Sequence, residues 1–99
     1  MAIRAQSSSG NVFTDLGFSA EEAQNLKIRS DLMIELSRLI ETQGLTQAAA
    51  AKLLGVTQPR VSDLVRGKID RFSVDSLIEM LGHTGASVSF VVTARRQVA

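Results

Sequence analysis

The sequence predicts a mainly α-helical domain of four to five helices, followed by one C-terminal β-strand. Three observations predict it. Apolar residues recur at helical spacing between about residues 20 and 81, with glycine stops at Gly44, Gly55 and Gly82. Ser or Thr stands where each helix must begin, at Ser19, Thr46, Thr57 and Ser73. Residues 86–93, Ala-Ser-Val-Ser-Phe-Val-Val-Thr, then change to a period of two, which places Val88, Phe90 and Val92 on one face. A chain of 99 residues with 44% hydrophobic content supports one core. The expected division is a disordered tail over residues 1–10, a helical domain with an N-terminal extension over 11–85, and a strand with its tail over 86–99.

Each element follows from local chemistry. Residues 1–10 end in Ser7-Ser8-Ser9-Gly10 and carry no periodicity. Phe13, Leu16 and Phe18 form a short apolar segment interrupted by Gly17, which must pack on its own domain or await a partner. Ser19-Ala20-Glu21-Glu22 reads as a capping box that starts a helix near residue 20. Leu26, Leu32, Met33, Leu36, Leu39 and Ile40 continue it to Gly44, with residues 25–30 as a place where it could be interrupted. Residues 44–68 hold two short helices: Thr46 caps the first, Gly55 ends it, Thr57 caps the second, and Pro59 falls in a first turn that needs no N–H there. Ala51 is small where the two helices approach, and Val56, Val61 and Leu64 are the apolar anchors. Ser73 caps a last helix carrying Val74, Leu77, Ile78, Met80 and Leu81, which stops at Gly82 or Gly85; His83 is a surface or capping residue. The strand over 86–93 needs a partner for its backbone. The candidates are the same strand of a second chain, antiparallel, and residues near Val12 and Phe13 in this one.

Two capped helices joined by the three-residue turn 55–57 make a helix-turn-helix signature, a unit whose second helix enters the DNA major groove. On a helical wheel Val61, Leu64 and Val65 of that second helix point inward, while Gln58, Pro59, Ser62, Asp63 and Arg66 take the opposite side. Gln58, Pro59, Ser62 and Asp63 are therefore the candidate base contacts: Gln bonds adenine, Asp accepts from cytosine, Ser adapts, and Pro packs on a thymine methyl. Thr57, Arg60 on the flank, Arg66, Lys68 and Arg71 are the candidate phosphate contacts. Net charge is only +1, but it is unevenly spread. Residues 11–41 carry six acids and three bases, whereas residues 52–71 carry five bases and two acids. Positive charge is thus concentrated on and just after the reading helix, where phosphates would lie.

Leu45-Thr46-Gln47, Ala51, Gly55-Val56-Thr57-Gln58, Val61 to Leu64 and Arg66-Gly67-Lys68 together resemble, in order and spacing, the lambda Cro/repressor-like (Xre) helix-turn-helix regulators. The resemblance implies a lambda-repressor-like fold. It also implies that Gln47 buttresses the reading helix beside Gln58 and touches phosphate. Ala49 departs from the family, which usually has Glu there and so completes the cap from Thr46. Thr57-Gln58-Pro59-Arg60-Val61-Ser62, the run from Arg66 to Ser73, and Asn11-Val12-Phe13 with Asp15-Leu16-Gly17 resemble more narrowly the small HigA-type antitoxins. Two functions are thereby expected. One is a dimeric repressor that binds a palindromic double-stranded DNA operator through residues 57–66, its homodimer joined by Val88, Phe90 and Val92. The alternative is an antitoxin that binds a partner toxin protein while repressing its own operon.

Composition argues against other classes. One histidine, no cysteine and no phosphate-cradling glycine loop leave no nucleophile-base pair and no metal site to suggest, so neither enzyme activity nor a cofactor is expected. No apolar run approaches the roughly 18 residues of a membrane span, and the N-terminus lacks the apolar core of a secretory signal. A cytoplasmic location is expected.

Overall fold

A long helix, α2 (Ala20–Thr42), organises the chain. The computed structural model describes residues 2–6 and 11–94. Within them run a strand β1 (Ala2–Gln6), a single-turn helix α1 (Val12–Asp15), α2, and the pair α3 (Gln47–Leu54) and α4 (Gln58–Val65). A 3-10 turn at Ile69–Arg71, helix α5 (Val74–Gly82) and strand β2 (Ser87–Val91) complete the order. The expected mainly α architecture with a C-terminal strand is the one observed. Arg95 and Arg96, in the expected tail, and Ser7 to Ser9 lie outside the described residues.

Helix α2 begins where Ser19 accepts a hydrogen bond from the Glu22 N–H at 3.2 Å, and it runs 23 residues without a break at 25–30, where the sequence allowed one. The reason is local. Asn25, which would otherwise compete for backbone partners, accepts from Arg29 Nε at 2.7 Å, and Lys27 pairs with Asp31 one turn on at 2.8 Å. Leu32 and Leu36 of α2 meet Ala50 and Leu54 of α3, Val61 and Leu64 of α4, and Leu77 and Leu81 of α5 in one buried cluster, closed by Phe72. Helix α5 starts on a reciprocal cap between Ser73 and Ser76, so Ser76 does what Glu or Gln usually does at that position. It ends at Gly82, with His83 as its cap.

The two ends of the chain depart from expectation. Residues 2–6, read as part of a disordered tail, form β1 and pair in parallel with β2, Ala2 opposite Ser87 and Gln6 opposite Val91. The intrachain partner of β2 is therefore β1 and not residues 12–13. Those residues belong instead to α1, which Asn11 fastens at both ends of its side chain: Oδ1 accepts from the Phe13 N–H at 2.9 Å and Nδ2 donates to the Ala23 carbonyl at 2.8 Å. The apolar segment packs on its own domain only in part. Phe13 is half-buried and meets Phe18 edge-on with ring centroids 6.2 Å apart, while Val12, Leu16 and Phe18 stay exposed.

Candidate nucleic-acid interface

Helix α3 starts at Thr46, whose hydroxyl accepts from the Ala49 N–H at 3.1 Å, and ends at Gly55, which holds a left-handed φ of 70°. That conformation lets the Val56 N–H turn back to the Ala51 carbonyl at 3.0 Å. Space at Gly55 is also tight: a Cβ there would lie 3.0 Å from the His83 imidazole. His83 is thus more than a cap for α5, since its ring also lies against the turn between the two motif helices.

Thr57 occupies the cap position of α4 with extended backbone, but its hydroxyl makes no capping hydrogen bond, contrary to expectation. Pro59 follows in the first turn, where the helix has no use for its missing N–H. Val61 and Leu64 are buried, whereas Val65 is 43% exposed and does not point inward as expected. It sits about 100° round the helix from Leu64, at the last turn. There it lines, with Met33, Ile34 and Ile69, an open groove of about 650 Å³ between α2 and the end of α4.

The candidate contact residues fall into two groups. Gln47, Thr57, Gln58, Pro59, Arg66 and Arg71 are exposed. Ser62, Asp63, Arg60 and Lys68 are half-buried. Gln58 and Pro59 therefore open the N-terminal turn of α4 to solvent, beside Thr57, with Ser62 one turn along the same helix. Asp63 is engaged within the molecule: its carboxylate lies 3.3 Å from Arg71 Nη1 and 3.7 Å from Lys68 Nζ. Arg60 is engaged as well. Its guanidinium stacks 4.4 Å from the centroid of the buried Phe72 ring, and its Nη1 donates to the Arg71 carbonyl at 2.7 Å. Arg66 forms no ion pair among the described residues.

The end of α4 sets where the basic residues go. Gly67, at φ 71°, allows the Lys68 N–H to bond the Asp63 carbonyl at 3.0 Å and its own N–H to bond Leu64 at 3.1 Å. The chain thereby doubles back beside the reading helix, and Lys68 and Arg71 emerge next to it. Arg29 was not among the sequence candidates, yet its Nη1 donates to the carbonyls of Ile69 at 3.1 Å and Phe72 at 3.2 Å. No local pattern marks it, because its partners stand 40 and 43 positions away. Among the described residues no group of acids and histidines is arranged to hold a metal ion, and no helix is long and apolar enough to cross a membrane.

Two helices packed through a glycine turn, with an exposed polar face on the second and cations beside its end, define a helix-turn-helix protein. The chain belongs to that family: the family model described as "Helix-turn-helix domain" matches residues 12–93. Within it the chain is of the Xre type. It is similar to a solved structure described as "Putative XRE Family Transcriptional Regulator", at 33% identity and a TM-score of 0.69, over 79% of this chain and 91% of the other. No curated protein matches the chain significantly in sequence.

Proposed function

We propose that the protein is a DNA-binding transcriptional regulator that acts in the cytoplasm as a dimeric repressor, placing α4 in the major groove of a palindromic operator. The observation that carries this reading is the exposure of Gln58 and Pro59 at the first turn of α4, together with the Lys68 and Arg71 cations drawn to Asp63 on that same helix. Base edges are met by Gln58, Pro59 and Ser62, and the backbone on either side by Gln47, Thr57, Arg66, Lys68 and Arg71. Similarity to the Xre-family regulator supports it. β2 has β1 on one edge, so a second copy can add antiparallel only to the other, giving a four-stranded sheet across the two-fold axis. Two reading helices then stand about 34 Å apart, one DNA turn.

Site selection from a randomised duplex pool tests the reading. Replacing Gln58 by Ala relaxes base preference and costs about 1 to 3 kcal/mol of operator binding, whereas Lys68→Ala weakens all sequences alike and lowers the salt slope by about one. Unchanged preference in Gln58→Ala would falsify this choice of reading face.

A second reading is favoured by the exposed apolar residues of the α1 segment, Val12, Leu16 and Phe18, of which Leu16 is 69% exposed. They offer a surface for a partner protein, as in the HigA-type antitoxins that the sequence resembles. Co-expression with the product of the adjacent gene checks it. The pair co-purifies, and Leu16→Glu abolishes the complex while leaving DNA binding intact.

A further inference from the structure

The segment that follows the reading helix is held by guanidinium groups from two different helices. Arg29 of α2 reaches the carbonyls of Ile69 and Phe72 at 3.1 and 3.2 Å, with its own Nε fixed by Asn25 at 2.7 Å. Arg60 of α4 reaches the intervening carbonyl of Arg71 at 2.7 Å while its Cζ lies over the Phe72 ring, 4.4 Å from the centroid. Three carbonyls in four residues thus receive arginine donors. The Ile69 carbonyl also takes the Phe72 N–H at 3.3 Å, so it is at Arg71 and Phe72, past the end of the short turn, that the arginines supply donors the turn lacks. The same stretch carries the candidate phosphate contacts. The Arg71 guanidinium and the Lys68 ammonium are both drawn to Asp63, at 3.3 and 3.7 Å.

We propose that Arg60 does not bind phosphate but is a positioning residue, which with Arg29 clamps residues 69–72 so that Lys68 and Arg71 are presented together to the DNA backbone beside α4. This rests on the DNA-binding reading above. Arg60 suits the role because one face of its guanidinium and its Nη1 are already engaged inside the protein, by Phe72 and by the Arg71 carbonyl. Asp63 completes the arrangement from below, holding the two cations close in place of reading a base. Lysine keeps the positive charge that a single-point phosphate contact needs, but it has no planar fork to lie on Phe72 while donating to the Arg71 carbonyl.

That difference supplies the experiment. Binding of the full chain to a duplex taken from the DNA immediately upstream of its gene, and to a scrambled duplex of the same composition, is measured by fluorescence anisotropy across a salt series. The proteins are wild type, Arg60→Lys, Arg60→Ala, Arg29→Lys, Lys68→Ala/Arg71→Ala, and Arg60→Lys added to that double variant. Each is held well below its own melting temperature. Arg60→Lys and Arg60→Ala are expected to lose affinity alike, by roughly tenfold on both duplexes, and to lower the salt slope by about one to two units as both cations lose their phosphates. Arg29→Lys is expected to shift the slope in the same direction, with faster amide hydrogen exchange at residues 69–72 in both lysine variants. In the Lys68→Ala/Arg71→Ala background the Arg60 substitution should change nothing further. Wild-type affinity in Arg60→Lys, alone or together with Arg60→Ala, would overturn the proposal. So would an undiminished effect in the doubly substituted background, or an unchanged slope in Arg29→Lys. A wild-type chain that binds neither duplex removes the DNA-binding reading itself; a wild type that binds with unaffected variants removes only the clamp.

Discussion

The α3–α4 pair and the β1–β2 sheet are built on opposite kinds of information. The helix pair is specified by neighbours: Thr46 reaches three residues on, Gly55 reverses the chain, and Val61 and Leu64 fall at helical spacing onto a core only one helix away. The sheet joins the two extremities of the chain, Ala2 opposite Ser87, and neither strand carries a turn that announces the other. What this teaches is that the candidate interface rests on local contacts, whereas the sheet depends on the helices bringing two distant segments together.

Two substitutions make the contrast measurable. Leu64 is 1% exposed at the junction of α4 with the core, so Leu64→Ala should destabilise the whole domain by about 2 to 5 kcal/mol in urea unfolding. A much smaller loss would mean that α4 docks on the core less firmly than its burial shows. Truncation after Gly85 removes β2 and deprives β1 of its partner, yet among the described residues lost the apolar ones that pack on the core are Ala86 and Val88. The helices should then melt with a loss of about 1 kcal/mol. Sedimentation should at the same time show the full chain as a dimer and the truncated chain as a monomer that holds a half-site weakly. A truncated chain that stays dimeric with undiminished operator affinity would eliminate the strand-mediated dimer.

The same contrast governs what was legible in the sequence. Helix starts at Ser19, Thr46 and Ser73 and the reversal at Gly55 are visible because each rests on a bond spanning a few residues. β1 is not visible, since Ala2 to Gln6 include one β-branched residue and are followed at once by the Ser7-Ser8-Ser9-Gly10 run. The wheel orders α4 correctly for Val61 and Leu64 but misplaces Val65, because periodicity records angle and not where the neighbouring helix ends. At the candidate site the residue types were readable and their internal bonds were not. Arg60, Asp63, Lys68 and Arg71 all look like free polar groups until the reversal at Gly67 folds the latter two back onto the first two.

The smallest expected effect separates two threonines that look alike in sequence. Both Thr46 and Thr57 stand at helix cap positions, but only the Thr46 hydroxyl takes a backbone N–H. Thr46→Ala should therefore cost about 1 kcal/mol, within the range for a lost cap, and Thr57→Ala no more than a few tenths. If thermal unfolding instead showed equal losses, the hydroxyl of Thr57 would be capping α4 after all. Because Thr57 is exposed at the N-terminal end of the reading helix, its hydroxyl is free for a phosphate oxygen, as helix N-termini favour. Thr57→Ala should then leave melting near wild type while weakening operator and scrambled duplexes by the same factor. The same substitution at Thr46 should lower stability and leave DNA affinity, measured well below melting, close to wild type. An unchanged affinity in Thr57→Ala would remove this threonine from the interface and leave the backbone contacts at that end of α4 to Gln47.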